Sequence, residues 1–287
     1  WIDMFAEAFG LCGVAPGEIC AVLSETQTRP ELPQLAELAL LRRGARAFHL
    51  VLPARARSAP VPVRSTGASD AIGGLVPVVQ ALAGCQFIAD CTVEGLMHAP
   101  ELRQVLAGGA RGLYISHEHP ETLERCLPRA EDEAPVREAM RRLKAAREMH
   151  VASDAGTDLR IALAGARVGG VWGFSTRPGS WSHWPGGLVL AFPAAGAVNG
   201  TLVLDCGDAN LTFKRYLADP VTLVIENDHA VRVEGASPDA ETMRDYFAAW
   251  GDASAYAVSH LGWGLNRRAR WDALHFHDKA DSNGTVL

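Results

Sequence analysis

The sequence predicts an α/β protein, a mostly parallel N-terminal α/β domain followed by a largely antiparallel α+β domain. Three observations carry that expectation. Residues 1–149 alternate short apolar runs with amphipathic helical segments, residues 150–287 change to shorter alternating runs punctuated by Gly and Asn, and a charged helical stretch at 134–148 stands between them. Strand–helix alternation is the pattern of parallel sheets, because a parallel crossover carries the chain back along a helix. Closely spaced alternating runs with turn residues instead pair as antiparallel hairpins.

In the first half the strand candidates are EICAVLS (18–24), ARAFHLVLP (45–53), CQFIADCTV (85–93) and RGLYIS (111–116), each rich in β-branched, Leu or aromatic residues. Between them PELPQLAELALLRRG (30–44) places Leu32, Leu35, Leu38 and Ala39 on one stripe, with Pro30 in the first turn and Gly44 at the end. SDAIGGLVPVVQALAG (69–84) and APELRQVLAGG (99–109) follow the same logic. The bridging helix APVREAMRRLKAARE gathers Val136, Met140 and Leu143 on one face. Beyond it LRIALAG, TLVLDCG and VTLVIENDHAVRVEG read as strands, the last a hairpin turning at Glu226–Asp228, and SPDAETMRDYFAAW reads as a helix opened by Ser237 and Pro238.

Composition narrows the function. With 287 residues, 48% of them hydrophobic, the chain has material for two ordinary domains, 1–149 and 150–287. Acidic residues outnumber Lys plus Arg by 33 to 27 without a block of either sign, so no nucleic-acid or anionic-membrane footprint is present and a small-molecule partner fits better. No apolar run reaches membrane-spanning length. The six cysteines lack CxxC spacing and sit among apolar residues, as expected of buried thiols in a reducing compartment, and cytoplasm is the default location. Trp1 stands where a Met would open a reading frame, so an upstream segment is expected.

Familiar signatures are absent: no GxxxxGK[ST], no GxGxxG after a strand, no GxSxG. HEHPE (117–121) shares two letters with a zinc-protease HExxH, but Glu121 stands where the second histidine belongs, so it reads as a strand end and a Pro-started helix. In a parallel sheet, ligands gather beyond the carboxyl ends of the strands, which nominates Glu25, Thr26, the Arg64–Gly67 turn, the loop at Glu94–His98, and His117. Three second-half stretches stand out: SDAGTDL (153–159), RPGSWSHWPGG (177–187) and SHLGWGLN (259–266). His183 is expected between the indoles of Trp181 and Trp184 as a proton carrier, or as part of a sealed junction. His260 is expected on an extended segment, facing away from Leu261 and Trp263.

Taken in order and spacing, SDAGTDL, RPGSWSHWPGG, VNGTLVL and AVSHLGWGLN resemble the 2,5-dihydroxypyridine 5,6-dioxygenase family, which shares a fold with the aminopeptidase T type of leucyl aminopeptidases. VEGLMHAPEL is the best-matching first-half segment. The aminopeptidases bridge two metal ions with glutamates; this chain has His260 at one such place and the acid-free SHWPGGLVL at the other. The resemblance implies Fe(II) as cofactor, since neutral imidazoles and one carboxylate with open positions suit a single ferrous ion. It implies extradiol-type opening of a hydroxylated pyridine by dioxygen, with His260 as a metal ligand and His183 as acid/base. His98, Leu96, Ser180 and Trp184 would contact substrate, Ser180 standing where relatives carry a second histidine. The remaining ligands are expected in a His-x-Asp motif beyond Leu287, so the second domain is expected to be truncated, with His275, His277 and Asp278 as the fallback set. A homo-oligomer is expected. The alternatives are a metal-dependent aminopeptidase or amide hydrolase of the same fold, and a non-catalytic small-molecule binding protein.

Overall fold

The computed structural model describes residues 1–54, 69–273 and the backbone of 285–286. The Arg64–Gly67 turn, His275, His277 and Asp278 lie outside these residues. In chain order the first part runs α1 (Ile2–Leu11), β1 (Ile19–Glu25), α2 (Glu31–Arg42), β2 (Arg46–Leu52), α3 (Val76–Ala83), β3 (Phe87–Asp90), α4 (Leu102–Ala107), β4 (Arg111–Ile115), α5 (Pro120–Arg125) and α6 (Glu133–Ala145). It continues with β5 (Glu148–Ala152), β6 (Asp158–Ala162), β7 (Arg167–Val171), β8 (Ser180–Trp184), β9 (Leu188–Phe192) and β10 (Val198–Leu204). Short β11 (Ala209–Asn210) and β12 (Arg215–Tyr216), then β13 (Val221–Glu226), β14 (His229–Glu234), α7 (Pro238–Ala249), β15 (Leu261–Gly264) and β16 (Thr285–Val286) complete it.

A five-stranded parallel sheet, ordered β2-β1-β3-β4-β8, is the platform on which the site stands. Its central strands β1, β3 and β4 are buried on both faces, as parallel strands covered by crossover helices must be, while the edge strand β2 is only partly covered. In β1, Cys20 and Val22 join the core under α1 and α2, with Phe5, Phe9, Leu32 and Leu40. Ala21 and Leu23 join the opposite core with Val79 and Leu82 of α3 and Leu102 and Val105 of α4. Sequence reasoning anticipated the first four strands; α1 and the fifth strand were not foreseen. β8 comes from beyond residue 150, yet runs parallel beside β4, with Tyr114 opposite His183 and Ile115 opposite Trp184.

The remaining strands form antiparallel sheets, β14-β13-β10-β6-β5, β16-β15-β9-β7 and the two-stranded β11-β12. The β13–β14 turn uses Asn227 and Asp228 with positive φ (47° and 68°), the conformation that Asn and Asp tolerate in tight hairpins. Ser237 caps α7 by accepting from the Ala240 amide, and Pro238 occupies its first turn. α6 lies on β7 and β9, and Gly170 allows the approach, since a Cβ there would meet the Met140 Sδ at 2.5 Å. α5 begins at Pro120 with His119 as its cap, so HEHPE is a strand end and helix start. All six cysteines are free thiols, five of them buried, and burial pushes Cys12 and Cys20 up to about 12, which keeps them protonated.

Candidate active site at the carboxyl ends of the parallel strands

β3 ends in Asp90, and the chain then loops through Cys91–Gly95 into a 3₁₀ turn, Leu96–His98, before α4. Side chains from neighbouring strands hold this loop. Asp90 accepts at Oδ1 from the Thr92 amide (3.0 Å) and hydroxyl (2.6 Å), and at Oδ2 from the Leu96 amide (2.7 Å). Glu25, at the end of β1, accepts from the Val93 amide (2.9 Å), and the Tyr114 hydroxyl of β4 donates to the Val93 carbonyl (2.9 Å). Gly95 has φ of 73° and lies flat on the Tyr114 ring, where a Cβ would come within 2.8 Å of three ring carbons. The loop is therefore a rigid ledge.

His98 at the end of that ledge is exposed, and it comes close enough to His260 for the two imidazoles to feel each other's charge. Desolvation lowers the His260 pKa below the usual histidine value, and repulsion from His98 lowers it further. His260 precedes β15, where Leu261 pairs with Ala191 of β9. Its ring packs 5.3 Å from Phe192 at a 46° tilt, and the Arg167 guanidinium of β7 lies 5.2 Å over the same phenyl ring. The pair thus joins a loop of the parallel sheet to a strand of an antiparallel one. A half-buried imidazole whose pKa is lowered, with a second imidazole in the same neighbourhood, is suitable chemistry for a transition-metal donor. Among the described residues no third His, Cys, Asp or Glu completes a metal-holding group.

His183 stands next to Tyr114 near the end of β8, on the face that also carries Trp181. Its Nδ1 lies 2.7 Å from the Pro185 carbonyl across a cis Trp184–Pro185 peptide. A carbonyl only accepts, so Nδ1 carries the hydrogen and the neutral ring keeps its lone pair on Nε2. The following Gly186–Gly187 turn is tied to the segment after β15: the Leu265 amide donates to the Gly187 carbonyl (2.6 Å) and the Asn266 amide group to that of Gly186 (3.1 Å).

Other expected site residues fall elsewhere. Trp184 is fully buried beside Phe5, 5.1 Å between ring centroids, and its indole N–H donates to the Leu123 and Cys126 carbonyls. It is a core residue, not a wall of a pocket, and His183 is not held between two indoles: side chains alternate along a strand, so Trp181 and His183 share one face and Trp184 takes the other. Ser180 starts β8, three residues from His183 and on the opposite face, with its hydroxyl bonded to Ser175 and the Arg177 carbonyl. It faces away from the candidate site. Leu96 is fully buried and packs under the ledge. His117 accepts from the Arg29 amide (2.8 Å). The carboxylates that a hydrolytic reading would recruit are structural: Asp228 accepts from the Gly196 and Val198 amides, and Glu234 pairs with Arg232 at 3.0 Å.

Comparison with known proteins bears on this arrangement. A 2,5-dihydroxypyridine 5,6-dioxygenase of Pseudomonas putida KT2440 is 34% identical over 281 residues, 97% of this chain and 79% of its own length. The solved structure of the 2,5-dihydroxypyridine dioxygenase of Pseudomonas putida KT2440 superposes with a TM-score of 0.90 at 34% identity, covering 96% of this chain and 79% of that one. The wild-type AmpT structure from Thermus thermophilus superposes with a TM-score of 0.51 at 14% identity over 91% of this chain and 78% of that one, a likeness of fold alone. A family model described as NicX, 2,5-dihydroxypyridine 5,6-dioxygenase, matches residues 1–287. The chain belongs to the 2,5-dihydroxypyridine 5,6-dioxygenase family.

Proposed function

We propose that this protein is an Fe(II)-dependent, extradiol-type ring-cleaving dioxygenase acting on a hydroxylated pyridine such as 2,5-dihydroxypyridine. Within the family reading, one observation supports the site: His98 and His260, far apart in sequence, come near enough at the mouth of the parallel sheet for the charge of His98 to add to the desolvation that lowers the His260 pKa. His260 is the proposed metal ligand, and His98 the proposed substrate contact on its ledge. Bound ferrous iron would supply a centre that holds the ring and dioxygen side by side and passes electrons between them.

The chain's own residues supply the rest. His183 takes the proton from the substrate hydroxyl at Nε2, while the bond from Nδ1 to the Pro185 carbonyl fixes the ring and steadies its charged form. The ledge presents His98 without reorganisation, since its backbone is pinned by Asp90, Glu25 and Tyr114. Ring opening breaks the carbon–carbon bond beside the ring nitrogen and places both atoms of dioxygen in the product, so no outside reductant enters. Cytoplasmic location and assembly into a homo-oligomer belong to the same proposal; among the described residues no helix is long and apolar enough to cross a membrane.

The test is oxygen uptake with 2,5-dihydroxypyridine in the presence of ferrous salt. One dioxygen consumed per ring opened without added reductant, and loss of uptake with a ferrous chelator, is the expected result. Chelator-sensitive release from amino acid amides without oxygen uptake would support hydrolysis instead. A ligand-induced melting shift with no turnover would identify a binding protein.

A further inference from the structure

At the carboxyl end of β3 sits a buried carboxylate. Asp90 is fully buried, and among the described residues no Lys, Arg or His pairs with it. Its partners are three donors of the loop that follows: the Thr92 amide, the Thr92 hydroxyl and the Leu96 amide. Such a group is expensive to keep. Desolvation pushes it up to about 6 although all three hydrogen bonds pull the other way.

We propose that Asp90 is a positioning residue for the reaction, using both carboxylate oxygens to fix the ledge so that the 3₁₀ turn ending in His98 keeps its place. This deepens the function proposed above and rests on it, in that His98 is taken to touch the substrate. The geometry explains why a carboxylate is used. Oδ1 holds the near end of the loop at Thr92, and Oδ2 holds the far end at Leu96, the first residue of the turn whose last residue is His98. An amide offers one acceptor and one donor, so it would satisfy one end and oppose an N–H at the other. Val93, between these ends, is held by Glu25 and Tyr114, and Gly95 is pressed on the Tyr114 ring, so slack introduced at Leu96 passes to His98 rather than back along the loop.

Asp90→Asn, assayed on the metal-loaded protein with 2,5-dihydroxypyridine, is expected to raise KM about tenfold, the equivalent of one lost buried hydrogen bond, with a smaller change in kcat. Because Asp90 acts through His98, Asp90→Asn combined with His98→Ala should be no worse than His98→Ala alone. A general loss of stability would instead add to it. Should Asp90→Asn fail to fold, Thr92→Val removes only the hydroxyl arm and is expected to show a smaller KM rise that also vanishes on the His98→Ala background. If His98→Ala raises KM while folded Asp90→Asn or Thr92→Val keeps wild-type kinetics, or if the effects add, the positioning role is overturned and the site reading stands. If His98→Ala itself leaves KM unchanged, the reading of His98 falls, and this inference with it.

Discussion

The hydrogen bond from His183 Nδ1 to the Pro185 carbonyl determines which nitrogen can work as a base. His183→Ala is expected to lower kcat by about a hundredfold or more while the protein stays folded, measured as oxygen uptake at saturating substrate. Next to it on the chain, Trp184 behaves differently: its indole fills the core against Phe5 and satisfies two carbonyls. Trp184→Ala should cost about 3–5 kcal/mol of unfolding free energy. Trp184→Phe should cost about 1–3 kcal/mol, chiefly from the carbonyls of Leu123 and Cys126 left without a donor. Chemical denaturation measures both. The contrast between these neighbours follows from period-two alternation, and it was hidden in the sequence because SWSHW, set between Gly and Pro, reads as a loop motif until the strand is seen. Ser180 was misplaced for the same reason.

At the scale of elements, the Cys91–His98 ledge combines tight backbone geometry with a buried acid, and that acid leaves a pH signature. The Asp90 pKa is about 6 in the folded protein against an ordinary 3.8. A raised value means that the folded state holds its proton longer than the unfolded chain. The stability contributed is therefore fully present below about pH 4 and lost as pH rises through about 6, some 3 kcal/mol in all by linkage. Compared with Asp90→Asn, the wild-type protein should lose about that much relative unfolding free energy between pH 4 and 7. A difference between the two proteins that stays flat over this window would contradict it. The strand ends that carry the ledge and His117 were legible from apolar runs bounded by polar loops. The three anchors of the ledge were not, because Asp90, Glu25 and Tyr114 meet it only through the pairing order β1-β3-β4.

For the whole molecule, the parallel sheet and its antiparallel companions were legible from the change of texture after the charged helix, and the second half reads correctly as hairpins. What periodicity could not reveal is that β8 returns to the first sheet, where it lies parallel beside β4. That return, with Asn266 and Leu265 fastening its exit turn, ties the segment after β15 to the mouth of the parallel sheet. His98 and His260 were each nominated on separate grounds, a strand-end loop and a family motif; their proximity is a property of the assembled sheets. The likeness to AmpT is one of fold alone, and Asp228 and Glu234, the acids a hydrolytic reading would draw on, are engaged in structural bonds.

The central claim is that His260 holds the metal on which ring opening depends, and ferrous titration of the full-length protein with and without His260→Ala tests it most directly. The account predicts that the substituted protein remains folded, binds ferrous iron at least about a hundredfold more weakly, and no longer opens 2,5-dihydroxypyridine. Unchanged iron affinity together with undiminished ring scission would contradict it.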